Sequence, residues 1–417
     1  MSLPQAFSGL RSALGTTAAA AFSSLAVLMP LAPNLLPLCL VVGMVAVLVH
    51  HRKALRRPSL RGSGATALPW MALLYVLHLI GLLWSVNMDY AGFDLQIKLP
   101  FLLLPLLFAI LPEQARRSWS SLWVAFILGN AVAVAVCVVM VPLRLLGDSG
   151  LHWPQEVFGE RFSFLIHPSY FALYLCMALA ALFLTPLPFR SAWRMPIALV
   201  LCLGVVCCGS KAGWVLLPLV LAVVLVARWR DTVVRRTLLL LIGGSLGGCV
   251  LLAALSFNMR QRIVEAIGSI TDSRRVATAE TSSEVRKLAW HSAVQVAQAH
   301  APFGAGTGDV KDELIAAHQR NGYVHLVEKR INAHQQFLQA WAALGIAGLL
   351  LTIALVVVPF VTAFRQGNTL AALFFLVNGL NWTVESMLEV QAGTLFFAFF
   401  AFVLASDRRS PSSPIPS

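Results

Sequence analysis

The sequence predicts an all-α integral membrane protein of about twelve transmembrane helices, with one large helical loop on the side away from the cytoplasm. Three observations predict it. Hydrophobic residues make up 58% of the 417 positions and charged residues only 12%, where a soluble domain carries roughly a quarter. Mean hydropathy is +0.78. Apolar runs approaching about 20 residues recur along the chain, the length a bilayer core demands of a helix.

The apolar runs place spans at 16–32, 35–49, 67–86, 98–111, 119–143, 167–186, 193–209, 213–228, 237–257, 337–362, 369–385 and 389–406. They group as transmembrane helices 1–9 over residues 1–257, a polar loop over 258–336, three more helices over 337–406 and a tail over 407–417. The first run is weakly flanked and reads as a retained helix rather than a cleaved signal. Net charge is +13, but most basic residues sit in short connections, as membrane orientation requires, so nucleic acid is not an expected partner. Arg52, Lys53, Arg56, Arg57 and Arg61 share the first of these connections. Arg116 and Arg117, Arg190 and Arg194, Arg228 to Arg236, Arg365, and Arg408 and Arg409 follow on alternate connections. That side is the cytoplasm and holds both termini. The seven cysteines all lie in apolar runs, where unpaired thiols act as small apolar fillers.

The opposite, trans side has the longer connections, 87–97, 144–166 and 258–336. Connections of such length are usually functional or disordered, and the last reads as ordered. Thr281 and Glu284 match a capping box that opens an amphipathic helix to about Ala299, with Val285, Leu288, Ala289 and Val296 on one stripe. The glycine-rich run Pro302 to Asp309 allows a tight backbone path. Asp309 is placed to cap a second helix over 310–320, and Asn321-Gly322 is a turn.

Chemistry-bearing residues gather on this side. His334 stands where the long loop meets the membrane, and a neutral imidazole there can act as general base toward a hydroxyl, or merely cap the span. Lys211 lies in a tight turn of small residues, Gly209 to Gly213, suited to approaching a phosphate; the plainer reading is a snorkelling lysine. Arg286 and Arg161 are trans-side cations whose forks match phosphate oxygens, although Arg161 also has Glu156 and Glu160 at hand and Arg286 has Glu284. His167 opens the sixth span. Glu385 and Glu389, four apart, bracket the last trans turn and share a face if a helix continues through them. They are placed to orient a histidine or balance the arginines. No His/Cys/carboxylate cluster has metal-ligand spacing and no P-loop is present. No cofactor is expected, and a transfer reaction here would need its energy stored in the donor.

Taken in order, Ser210-Lys211-Ala212-Gly213-Trp214, then Arg286 and Trp290 ahead of Pro302-Phe303-Gly304-x-Gly306-x-Gly308, then His334-x-x-x-Leu338 with Gly345 and Gly348, then Glu385-x-x-x-Glu389-x-Gln391-x-Gly393, resemble the O-antigen ligase family. That family shares a domain with O-antigen polymerases and bacterial protein O-oligosaccharyltransferases. Lys211 stands where the family commonly has arginine, and Gln335 where it has asparagine.

The resemblance implies a GT-C-like glycosyltransferase of the bacterial inner membrane with its site facing the periplasm. The implied donor is a glycan on undecaprenyl pyrophosphate, the acceptor a sugar hydroxyl of lipid A–core, and the reaction metal-independent and inverting. His334 would be the base, Arg286 would stabilise the leaving pyrophosphate, and Lys211 and Arg161 would help hold it. His167, Glu385 and Glu389 would complete the substrate-binding set. A polymerase or protein O-oligosaccharyltransferase of the same fold is the near alternative, and the end of the chain soon after its last span is expected of a ligase. A transporter is the distant alternative, disfavoured because the candidate polar groups cluster at one mouth rather than at the bilayer midplane.

Overall fold

A computed structural model describes residues 20–53, 67–111, 121–147, 156–187, 191–255 and 282–406. Among these the fold is all-α, without strands. The first half comprises α1 (20–28), α2 (Leu36–His51), α3 (Leu68–Ile80, extended by a 3-10 turn Gly81–Trp84), α4 (Met88–Lys98), α5 (Pro100–Ile110) and α6 (Ser121–Gly147). Next come α7 (Pro168–Leu184), α8 (Ser191–Cys208), α9 (Lys211–Ala227) and α10 (Thr232–Leu255). The trans segment holds α11 (Ser282–Ala299), α12 (Val310–Arg320) and α13 (Val324–Glu328). Last are α14 (Gln336–Arg365), α15 (Thr369–Trp382), a 3-10 turn Met387–Glu389 and α16 (Gln391–Ser406).

Among the described residues, each expected apolar run falls largely on helix. Of these same residues, four stretches, Pro33–His51, Met88–Ile110, Leu122–Gly147 and Gln336–Arg365, are long and apolar enough to cross a bilayer, and six shorter apolar helices accompany them. This is an all-α membrane protein. Helices apolar on every side belong at the centre of such a bundle, and α7 and α16 occupy it. Almost every residue of α7 and every residue from Gly393 to Ser406 is buried. Tyr174 of α7 stacks on Phe396 of α16 at 4.4 Å, while Phe400 of α16 meets Trp123 at 4.5 Å and Phe126 at 4.6 Å, both on α6. Outer helices leave apolar faces exposed, such as Leu38 and Val45 on α2 and Val139 and Leu143 on α6. Hydrocarbon, not water, suits such surfaces.

Two expectations are corrected. The connection 87–97 is helix α4, capped by the Asn87 side chain accepting from the Tyr90 amide, and it runs almost directly into α5. Its charges misled because Asp94 and Lys98, one turn apart, neutralise each other inside the protein. Asp309 precedes α12 but makes no cap to it. Its carboxylate instead takes the Val86 and Asn87 amides at 2.7–3.0 Å, pinning the trans segment to the α3–α4 corner.

The trans segment is also held by a break in α14. At Gly345 the backbone turns to φ 66°, ψ −156°, a region essentially reserved for glycine. The break releases carbonyls of the preceding turn, and the glycine-rich run satisfies them. The Ala305 and Gly306 amides donate to the Ala342 and Ala343 carbonyls at 2.8 and 2.9 Å, while the Ile346 amide donates to the Pro302 carbonyl at 3.1 Å. Backbone thus docks on backbone, and a Cβ at Gly345 would lie 1.8 Å from the Pro302 oxygen. Gly322, also at positive φ, faces open space. Gly345→Ala is expected to lose more than the ~1–3 kcal/mol of strain alone, and Gly322→Ala no more than that strain. Thermal melts of the two detergent-solubilised variants check it: the Gly345 variant melts clearly lower.

Candidate active site

At the trans ends of the helices, a buried carboxylate gathers the candidates. Helix α15 stops at Trp382, so Glu385 lies beyond its end in an irregular turn. Its side chain is 2% exposed. Arg286, on the first turns of α11, donates one terminal guanidinium nitrogen to Glu385 Oε1 and its Nε to the Val384 carbonyl at 2.9 Å. His334 Nδ1 lies 3.4 Å from Glu385 Oε2. Ser169, at the start of α7, donates its hydroxyl to Oε1 at 3.0 Å, and Ser210 Oγ lies 3.4 Å further on. One carboxylate therefore joins four separate stretches of chain.

Each partner is positioned by local structure. The amphipathic stripe of α11 buries Val285, Leu288, Ala289 and Val296, which turns Arg286 toward Glu385. Ser210 caps α9 by accepting from the Gly213 amide, which starts that helix beside the cluster. Lys211, the next residue, donates Nζ to Ser283 Oγ at 2.8 Å and so ties α9 to the beginning of α11. His334 adopts φ +44°, rare for a residue with a side chain. The Asn332 side chain holds its amide at 2.9 Å, and its carbonyl faces Trp290 Nε1 at 3.4 Å. Its side chain is 27% exposed, enough for a substrate to reach.

Burial, the largest single effect on Glu385, would raise its pKa. The hydrogen bond from His334 and the charges of Arg286, His334 and His167 together outweigh it and bring the group from an ordinary 4.5 to about 2. Glu385 is an anion at neutral pH and acts purely as an acceptor.

The remaining candidates divide. His167 caps α7, packs its ring against Tyr170 at 5.1 Å and lies within electrostatic range of Glu385, His334 and Arg286. Arg161 pairs with Glu156 at 3.5 Å, the local pairing its neighbours suggested, and its side chain is 66% exposed. Arg144 also meets Glu156, at 3.3 Å. Glu389 does not join Glu385. The helix that would have set them on one face is interrupted, and the 3-10 turn sends Glu389 inward to Lys98 at 3.3 Å. Burial there raises its pKa, with Lys98 opposing. Lys98, Asp94 and His78 thus form a second buried polar cluster that no motif in the sequence announced. Ser169 and Ser210 carried too little signal of their own, although both lie in segments singled out for a neighbour. Thr281 and Glu160 differ in standing: Thr281 lies outside the described residues, while Glu160 is exposed. Among the described residues, no group of three or more His, Cys, Asp or Glu side chains is placed to hold a metal ion.

Fold and cluster together define a helical membrane protein with a charged, imidazole-bearing cluster at one end of its apolar helices. Residues 196–353 match the family described as O-antigen ligase, consistent with the resemblance read from the sequence motifs. Lys211, Arg286 and His334 lie within the matched stretch, Glu385 and Ser169 outside it. The domain supports an O-antigen ligase-like or polymerase-like function. No curated protein matches the chain.

Because the folded pKa of Glu385 is depressed, its stabilisation is present above pH 4.5 and is lost as pH falls toward about 2. Glu385→Gln is expected to lower stability at pH 6–8 by about 1–3 kcal/mol, less than for a fully buried pair because Arg286 keeps some access to water. Melting curves across pH check the sign: the gap to wild type is full above pH 4.5 and narrows below it.

Proposed function

We propose that this protein is an O-antigen ligase acting at the periplasmic face of the inner membrane. In this reading it moves a polysaccharide from undecaprenyl pyrophosphate to a sugar hydroxyl of lipid A–core. The observation that carries the proposal is the meeting of His334 and Arg286 on Glu385, in a chain with the O-antigen ligase domain.

With Nδ1 turned to an anionic carboxylate, the imidazole carries its proton there, and Nε2 keeps the lone pair. Nε2 takes the proton from the acceptor hydroxyl as that oxygen attacks the anomeric carbon of the donor. The new glycosidic bond forms on the face opposite the leaving group, so configuration inverts. The anomeric carbon–oxygen bond breaks, and the pyrophosphate leaves with its electron pair. Arg286 and Lys211 supply positive charge where that anion departs. Glu385 steadies the imidazolium that results, as the carboxylate of a triad does. Arg161, paired with Glu156 and largely exposed, is assigned an outer role in drawing in the anionic donor. The reaction is read as metal-independent, with the donor's own pyrophosphate linkage supplying the driving force.

The test is reconstitution of purified protein with undecaprenyl-pyrophosphate-linked polysaccharide and lipid A–core. Transfer to core is expected with and without chelator, and His334→Ala is expected to lose at least about 100-fold of the rate, the scale of a general base. Extension of the lipid-linked glycan without transfer to core would replace the ligase reading by the polymerase one. Wild-type transfer by His334→Ala would remove His334 as the base.

A further inference from the structure

The second buried cluster lies directly behind the first. Lys98 has a side chain 2% exposed, between Asp94 on its own helix and Glu389 at 3.3 Å. Burying an ammonium is costly even when paired, and an apolar residue of similar size is often no less stable there. Its position therefore calls for an explanation beyond packing.

The contacts leading from it supply one. Glu389 Oε1 accepts from Gln336 Nε2 at 3.2 Å, and Gln336 Oε1 accepts from the Leu388 amide at 2.7 Å. One step closer to the site, the Gln335 amide donates to Ser386 Oγ at 2.9 Å. These bonds are successive rungs between two strips of chain, 334–336 and 385–389. The first strip begins with His334 and the second with Glu385. His334 sits at a positive φ that persists only when its surroundings over-determine it. Asn332 restrains it from one side, and the rungs restrain it from the other. Lys98 joins the far end of the ladder to α4 and, through Asp94, to His78 on α3 at 3.9 Å.

We infer that Lys98, acting through Glu389 and Gln336, is a positioning residue that sets the register of His334 against Glu385. Touching no substrate, it works by fixing where the strip carrying the carboxylate lies relative to the strip carrying the imidazole. A general base misplaced by an ångström loses about 100-fold in rate, so the ladder matters to chemistry well beyond its contribution to folding. This inference rests on the reading of His334 as the base.

Three variants test it: Lys98→Met, Glu389→Gln and Gln336→Leu. The last changes no charge, so it carries the test if an unpaired carboxylate prevents folding of the first. Two readouts are taken on folded, reconstituted protein. In steady-state transfer, kcat is expected to fall about 10- to 100-fold, with the KM for the lipid-linked donor little changed. In labelling by diethylpyrocarbonate, followed by peptide mass spectrometry, His334 is expected to react several-fold faster than in wild type while His300 does not change. Lower melting temperature with wild-type kcat and wild-type His334 labelling overturns the inference. If His334→Ala itself retains transfer, the base assignment falls, and the labelling still decides whether Lys98 positions the ring.

Discussion

A carboxylate taken out of water must find positive charge and hydrogen-bond donors within a few ångströms or give up its charge. Glu385 is almost completely buried and stays ionised, and the trans end of this protein is arranged around that requirement. Arg286, His334 and Ser169 come from three segments far apart in sequence and meet on its two oxygens. What makes the anion tolerable also sets an imidazole beside a guanidinium, the pair on which the proposed transfer rests. The stability of this end of the fold and the chemistry assigned to it therefore draw on the same contacts.

The apolar bundle provides the frame. Aromatic packing between α7 and α16 fixes the helices whose trans ends flank Ser169 and the 387–389 turn. The trans segment is then fastened at several places: the glycine-rich run on the broken backbone of α14, Asp309 on the α3–α4 corner, and Lys211 on Ser283. Arg286 and His334 lie at opposite ends of that segment. Fastening its middle to the bundle limits how far either can move from Glu385.

Much of this was legible beforehand because the signals were local. Apolar run length marked the helices, and the stripe of α11 named its buried face. His334 and Glu385 stood out as polar residues at the ends of apolar runs, and Arg286 as a cation on the amphipathic helix of the long loop. What escaped the sequence depended on distant partners. Asp94 and Lys98 made α4 look like a loop, because their mutual neutralisation and that of Glu389 cannot be seen along the chain. Asp309 looked like a cap because only the fold brings Val86 and Asn87 to it. Glu385 and Glu389 would share a face only if a helix continued through them, and its interruption sends them to different clusters, where the pKa of Glu385 is lowered and that of Glu389 raised.

Glu385 and Arg286 form one coupled unit at the centre of this arrangement. A double-mutant cycle on thermal stability, using Arg286→Met, Glu385→Gln and the pair together, measures that coupling most directly. Each single change strands a charge that the other side chain had compensated, so the double variant is expected to be more stable than the sum of the two losses implies. Strictly additive losses would mean that the two side chains do not share their energy and that the ion pair does not organise this end of the fold.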